Sequence, residues 1–142
     1  MATFKINIST KDGKTYHVES DSESFIGKSI KEKVDGNDFN DGLNGYVFEI
    51  TGASDKAGLP ALDSVEGVGL KGLLLSYGTG MKTARPKGLR KRKTIRGKVI
   101  SENIVQINLK LVKAGGKKLE EVFSDQNKAK EEPKAVEAAP VA

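Results

Sequence analysis

"FKINISTKDGKTYHVES", Phe4 to Ser20, decides the fold. Phe4, Ile6 and Ile8 alternate with polar neighbours, Asp12-Gly13 supplies a turn, and Tyr16 and Val18 resume the alternation. Period-two patterning on both sides of an Asp-Gly turn predicts a β-hairpin with one face toward a core. The pattern recurs in "GYVFEIT" (Gly45 to Thr51), where Tyr46, Phe48 and Ile50 share a face. "GLLLSYG" (Gly72 to Gly78) reads as a buried apolar strand between glycines. "TIRGKVIS" and "IVQINLKLVKAG" follow, separated by the turn-prone Ser101-Glu102-Asn103. Six short strands punctuated by 16 glycines predict a mostly β protein, a small six-stranded antiparallel β-barrel. Its expected inward positions are Ile6, Tyr46, Phe48, Ile50, Leu74, Ile107 and Leu109.

Two segments break this pattern. Ile26, Ile30 and Val34 recur at four-residue spacing after a Ser/Asp-rich start, with Gly36 as a stop, which predicts a short amphipathic helix. From Lys117 onward, "KKLEEVFSDQNKAKEEPKAVEAAPVA" mixes Lys, Glu, Ala and Pro with few large apolar residues. Such a segment buries too little surface to offset its ordering entropy. The expected organisation is a β-barrel domain over 1–116 and a flexible mixed-charge tail over 117–142, with one helical turn around Leu119 to Phe123.

At 142 residues, 37% of them apolar, the chain suffices for one domain with a modest core. Without cysteine it has neither disulfides nor thiolate metal sites, as expected in a reducing cytoplasm. No apolar run approaches the roughly 20 residues of a membrane span, and "MATFKINIST" lacks a signal-peptide core. The expectation is a soluble intracellular protein with no membrane partner.

The net charge of +5 is unevenly placed. Between Glu66 and Glu102 lie 35 residues without Asp or Glu that carry ten cations: Lys71, Lys82, Arg85, Lys87, Arg90, Lys91, Arg92, Lys93, Arg96 and Lys98. The remainder holds 14 basic against 19 acidic residues. Such asymmetry points to an anionic partner. A solvated face would interleave both signs, a nuclear-localisation reading explains only "RKRK", and the glycines and Pro86 oppose a membrane-binding helix. Nucleic acid is the favoured partner. Because Tyr77 is the only aromatic of the segment, phosphate tracking is favoured over base stacking.

Catalytic machinery is not evident. "GVGLKG", Gly67 to Gly72, fits G-x-G-x-x-G, but it leads into a strand, with no acidic residue about 20 positions on. His17 stands alone, and no Ser/His/Asp or paired-carboxylate pattern appears. No enzyme activity, cofactor, metal or small-molecule substrate is expected.

"ITGASDKAGLPA" (Ile50 to Ala61) and the run from Arg85 to Gly97 resemble the small-subunit ribosomal protein S6e family of archaea and eukaryotes. Ile50, Thr51, Gly52, Asp55, Gly58 and Pro60 match its first motif, with Ala53 in place of a second glycine and Ala61 in place of methionine. Arg85, Gly88, Arg90, Lys91, Arg92, Lys93, Thr94, Ile95, Arg96 and Gly97 match its basic motif. The resemblance covers roughly residues 3 to 116. It implies a structural constituent of the small subunit, with a β-barrel binding ribosomal RNA beside neighbouring ribosomal proteins on the cytoplasmic ribosome. The ten cations would be the RNA-binding residues, with Arg90, Arg92 and Arg96 as bidentate phosphate ligands and Gly88 and Gly97 allowing close approach. The family's eukaryotic members extend into a phosphorylated basic helix; here Ser124 is the only serine after residue 116, which makes an archaeal-type member the closer match. The alternative is a free-standing basic β-barrel that binds RNA or DNA outside the ribosome.

Overall fold

The computed structural model describes residues 2–126. The chain is mostly β, with seven strands: β1 Phe4–Ser9, β2 Thr15–Ser20, β3 Lys33–Asp35, β4 Val47–Asp55, β5 Leu70–Leu75, β6 Lys91–Arg96 and β7 Ile104–Lys113. One short helix, α1, spans Leu119–Val122. Five strands form one sheet in the order β2-β1-β7-β4-β3, and β5 pairs with β6 in a separate two-stranded ribbon. The expected six-stranded antiparallel barrel is corrected on two counts. The sheet is an open half-barrel with β2 and β3 at its edges, and β1 runs parallel to β7. Register shifts at Val47/Phe48, Ile50/Gly52 and Ser54/Asp55 along β4 curl the sheet, because each bulge bends its strand and sharpens the local twist.

The hairpin pairs as its sequence requires, Ile6 opposite Val18 and Ile8 opposite Tyr16. Phe4, Ile6, Ile8, Phe48, Ile50, Ile107 and Leu109 are fully buried, and Tyr16 and Tyr46 nearly so. Phe25 packs on Phe4 and Phe39 at ring separations of 6.0 and 5.4 Å, closing one end of this core.

The expected amphipathic helix is absent: a single 3-10 turn over Glu23–Phe25 ends where it would begin. Gly27 and Lys31 adopt φ of +87° and +73°, a left-handed conformation that interrupts a right-handed helix. The backbone instead bonds outward: Ile30 N–H donates to Lys98 at 3.1 Å and Lys31 N–H to Ile50 at 2.7 Å. Phe25, Ile30 and Val34 are therefore separate anchors of a turn-rich segment that ends in β3, whereas Ile26, the first of the three residues at four-residue spacing, is 38% exposed.

The helical turn expected around Leu119 to Phe123 forms as α1, and the first ten residues of the expected tail pack on the domain. Leu119 is buried in the main core, and Val122 and Phe123 pack against it. Tyr16 and Phe123 rings lie 5.4 Å apart, the Tyr46 hydroxyl donates to the Lys117 carbonyl, and Lys14 pairs with Glu120. Beyond α1, the Gln126 amide meets His17 on the β2 edge, accepting from its N–H and donating to its carbonyl, both at 2.6 Å. Three apolar residues in ten suffice because each finds a preformed hydrophobic surface. The rest of the expected tail, 127–142, lies outside the described residues.

Candidate nucleic-acid interface

The acid-free segment builds the ribbon, the long loop at its tip and the crossing at its base. In the ribbon, Leu70 pairs with Arg96, Leu73 with Lys93, Leu74 with Arg92 and Leu75 with Lys91. Period-two alternation then sorts the side chains. Ile95 is fully buried against Leu62 and Val65, with Leu73 and Leu75 packed beside it, in a second, smaller core. Leu74, expected inside, faces outward and is 55% exposed. The ribbon has only one covered face, and parity puts Leu73 and Leu75 on it.

At the base, segment 59–62 bridges the ribbon to the main sheet. Arg96 N–H donates to Pro60 at 3.0 Å, Leu62 N–H to Arg96 at 3.2 Å and Ala61 N–H to Ala53 at 2.9 Å. The glycine-rich loop crosses here: Gly97 N–H donates to Gly69 at 3.1 Å and Val99 N–H to Gly67 at 3.2 Å. A Cβ on Gly97 would stand 1.9 Å from the Gly67 carbonyl oxygen. Gly97 thus serves an approach within the chain, whereas the resemblance implied an approach to RNA. The Gly67 to Gly72 loop opens a strand and no helix, so it lacks the helix N-terminus on which a dinucleotide phosphate sits.

Arg96 is the residue whose expected role changes most. Its Nε and Nη2 donate to Asp55 Oδ2 at 2.9 and 2.6 Å, and Nη1 donates to the Val68 carbonyl at 3.2 Å. With 11% of its side chain and 7% of that of Asp55 exposed, the guanidinium is committed inside the molecule. Asp55 itself is fixed by Lys56 N–H on Oδ1 at 2.5 Å and by the turn in which Gly58, at φ +81°, donates to its carbonyl. Its place in the D-x-x-G motif was legible in the sequence, but its ion pair was not. Two acids flank the cationic segment, and one of them, Glu66, holds Lys98 at 2.8 Å.

The other eight cations share a different environment. Lys71, Lys82, Arg85, Lys87, Arg90, Lys91, Arg92 and Lys93 are all exposed, and none pairs with a carboxylate among the described residues. They lie on the ribbon and its tip loop, whose backbone is anchored by the fully buried Met81 and by its reciprocal hydrogen bonds with Gly78 at 3.0 and 3.1 Å. Their mutual repulsion is offset by no carboxylate among the described residues, and an anion would relieve it. His17 sits exposed on β2, its Nδ1 3.0 Å from the Asn7 amide oxygen, remote in sequence from this cluster.

The half-barrel thus carries a cationic ribbon, eight of whose charges meet no carboxylate among the described residues. The family model described as ribosomal protein S6e matches residues 4–124, and the chain belongs to that family. It is 39% identical over 135 residues to the small ribosomal subunit protein eS6 of Methanoculleus marisnigri, covering 92% of this chain and all of that one. With the protein of the same name from Halobacterium salinarum it shares 40% identity over 127 residues, covering 87% and 95%. With that of Methanocaldococcus jannaschii it shares 41% over 113 residues, covering 80% and 84%. These relatives are archaeal, as the archaeal-type resemblance implied.

Proposed function

We propose that the chain is a structural, non-enzymatic constituent of the small ribosomal subunit on cytoplasmic ribosomes, binding ribosomal RNA through the β5–β6 ribbon and its tip loop. The observation that carries this is the set of eight exposed cations that pair with no carboxylate among the described residues, on a segment that lacks Asp and Glu from 67 to 101. Family membership and the small-subunit name shared by its archaeal relatives support this role, with ribosomal proteins as neighbours.

In this reading Arg90 and Arg92 present planar forks suited to phosphate oxygens, and Lys71, Lys82, Lys87, Lys91 and Lys93 act as mobile point charges. Arg85 extends the footprint on the tip loop. Arg96 and Lys98 fall to a supporting role, holding the ribbon on the barrel through Asp55 and Glu66. Phosphate contacts position a protein without reading sequence, so selectivity comes from fitting the shape of a folded RNA. Sedimentation of the tagged protein from a native lysate, with cross-linking, tests the proposal. Co-migration with small subunits and cross-links from the ribbon to ribosomal RNA are expected. A protein that sediments apart at physiological salt would instead be a free-standing nucleic-acid binder.

A further inference from the structure

On the outward face of the ribbon, Leu70, Gly72 and Leu74 stand opposite Arg96, Thr94 and Arg92. Leu70 and Leu74 are 50% and 55% exposed, two large apolar side chains spent on solvent. Gly72 lies between them without a side chain, and Arg92 fills the gap. Arg92 Nη1 donates to the Gly72 carbonyl at 3.2 Å, and its Cγ and Cδ lie 3.7 and 3.8 Å from where a Gly72 Cβ would stand. A guanidinium laid along the strand in this way is oriented before any partner arrives. The result is a strip of leucine, guanidinium and leucine, with Val68 exposed before β5 and Tyr77 exposed after it.

The surroundings choose the occupant. Lys71, Lys91 and Lys93 alternate with the strip's residues and turn to the ribbon's other face, where all three remain exposed; Arg90, just before β6, is exposed too, and no carboxylate lies in the segment. A partner must therefore be anionic and must also offer a flat apolar face. An unpaired nucleobase on its phosphate backbone has both; an apolar protein surface lacks the charge, and an acidic one lacks the flat face.

We infer that this strip is a stacking platform for an unpaired nucleobase. The base lies on the Arg92 guanidinium plane, with Leu70 and Leu74 against its sides, while Arg90, two residues before Arg92, holds an adjacent phosphate and the lysines of the ribbon's other face meet the backbone further along the strand. Bases stack on guanidinium planes as they do on aromatic rings, and such stacking tolerates any base because each has a π-face. The inference rests on the RNA-binding reading above and adds a contact that salt does not screen.

The test uses the full chain, a short single-stranded RNA, and its abasic counterpart of equal length and charge, measured by fluorescence anisotropy across a salt series. The wild-type protein binds the base-bearing strand about tenfold tighter than the abasic one. The double variant Leu70→Ser, Leu74→Ser keeps every cation, so it loses most of that tenfold preference while the slope of log K against log salt is unchanged. Its melting curve stays that of the wild type, since both side chains are exposed. Equal wild-type binding of the two strands with a steep salt slope overturns the platform and leaves the RNA-binding reading standing. Absence of binding to either strand also overturns the platform, while the RNA-binding reading falls only if the protein sediments apart from small subunits without cross-links to ribosomal RNA. A double variant that retains its preference for the base-bearing strand but no longer joins the small subunit would show that the strip meets a protein, which also overturns the inference.

Discussion

The Arg96 guanidinium sits 2.6 Å from the Asp55 carboxylate with both side chains almost wholly withdrawn from solvent. Asp55 ends β4 and Arg96 ends β6, so one ion pair fastens the curled sheet to the cationic ribbon. Removing one partner leaves a buried charge uncompensated, and Asp55→Ala is expected to cost about 3 kcal/mol. Replacing both residues by apolar ones of similar size should recover most of that loss. Urea unfolding of the two singles and the double closes the cycle. A loss below about 1 kcal/mol for Asp55→Ala would show that the pair is not what secures the ribbon.

Replacing Arg90, Lys91, Arg92 and Lys93 together by Gln leaves every buried ribbon contact in place, because all four are exposed. The fold should survive and RNA affinity should fall. If each neutralises one phosphate, the slope of log K against log salt becomes shallower by about 3 units. Filter retention with a ribosomal RNA fragment, alongside a melting curve, measures both effects. An unchanged slope in a folded variant would withdraw the ribbon as the RNA-binding surface.

Gly97→Ala tests the crossing at the ribbon base. Its new methyl would stand 1.9 Å from the Gly67 carbonyl oxygen, so backbone must move. Forced repacking of this kind typically costs about 1 to 3 kcal/mol, and a melting midpoint several degrees lower is expected. Gly69→Ala, whose Cβ meets nothing within 4 Å, is the control and should melt close to wild type.

Leu119→Ala asks whether the C-terminal helix belongs to the core. Leu119 is 7% exposed, and truncating it should cost about 2 kcal/mol. A cut after Lys118 removes Leu119, Val122 and Phe123 together and should be more harmful still. If either change left the melting temperature untouched, the docking of α1 would contribute nothing to stability.

The ion pair of α1 with the first hairpin gives a pH signature. The Lys14 ammonium that hydrogen-bonds Glu120 holds this carboxyl below the ordinary carboxylate range, and Glu120 raises the pKa of Lys14 above the usual lysine value. For Glu120 the contribution is present above the unfolded carboxylate pKa and is lost as pH falls through its own depressed value. For Lys14 the contribution is present below the ordinary lysine pKa and is lost as pH rises through the raised one. The pair is exposed, so the effect on stability is small. An NMR titration of Glu120 should show a midpoint that Lys14→Gln returns to the ordinary range; a midpoint indifferent to Lys14 would mean the two groups do not meet in solution.

What the sequence disclosed follows from where periodicity has a single cause. Ile6, Phe48, Ile50, Ile107 and Leu109 lie in strands covered on one side by one core, so alternation located them. Leu74 misled because its run of leucines has no polar member to fix the parity; the phase is set only by Ile95 across the ribbon. Ile26, Ile30 and Val34 imitated a helix because the left-handed Gly27 and Lys31 leave no mark in an apolar pattern. The cations were visible as a block, yet Arg96 could not be told from Arg92 until Asp55, 41 positions earlier, was brought beside it. Leu119 and Phe123 looked too few to fold because the surface they cover is contributed by Tyr16 and Tyr46, distant in the chain.

An open sheet has the liability that closed barrels avoid: its outermost strands can recruit a strand from another molecule and begin an aggregate. On one border β3 is only three residues long, too short to be a good template. On the other, β2 is twice that length, and there the Gln126 side chain engages both the N–H and the carbonyl of His17, the two bonds a foreign strand would make at that residue. An amide imitates a peptide group, so a single side chain does the work of a neighbouring strand while exposing no further edge of its own. At that residue the β2 border is already occupied, so a strand from a second copy would first have to displace the glutamine amide.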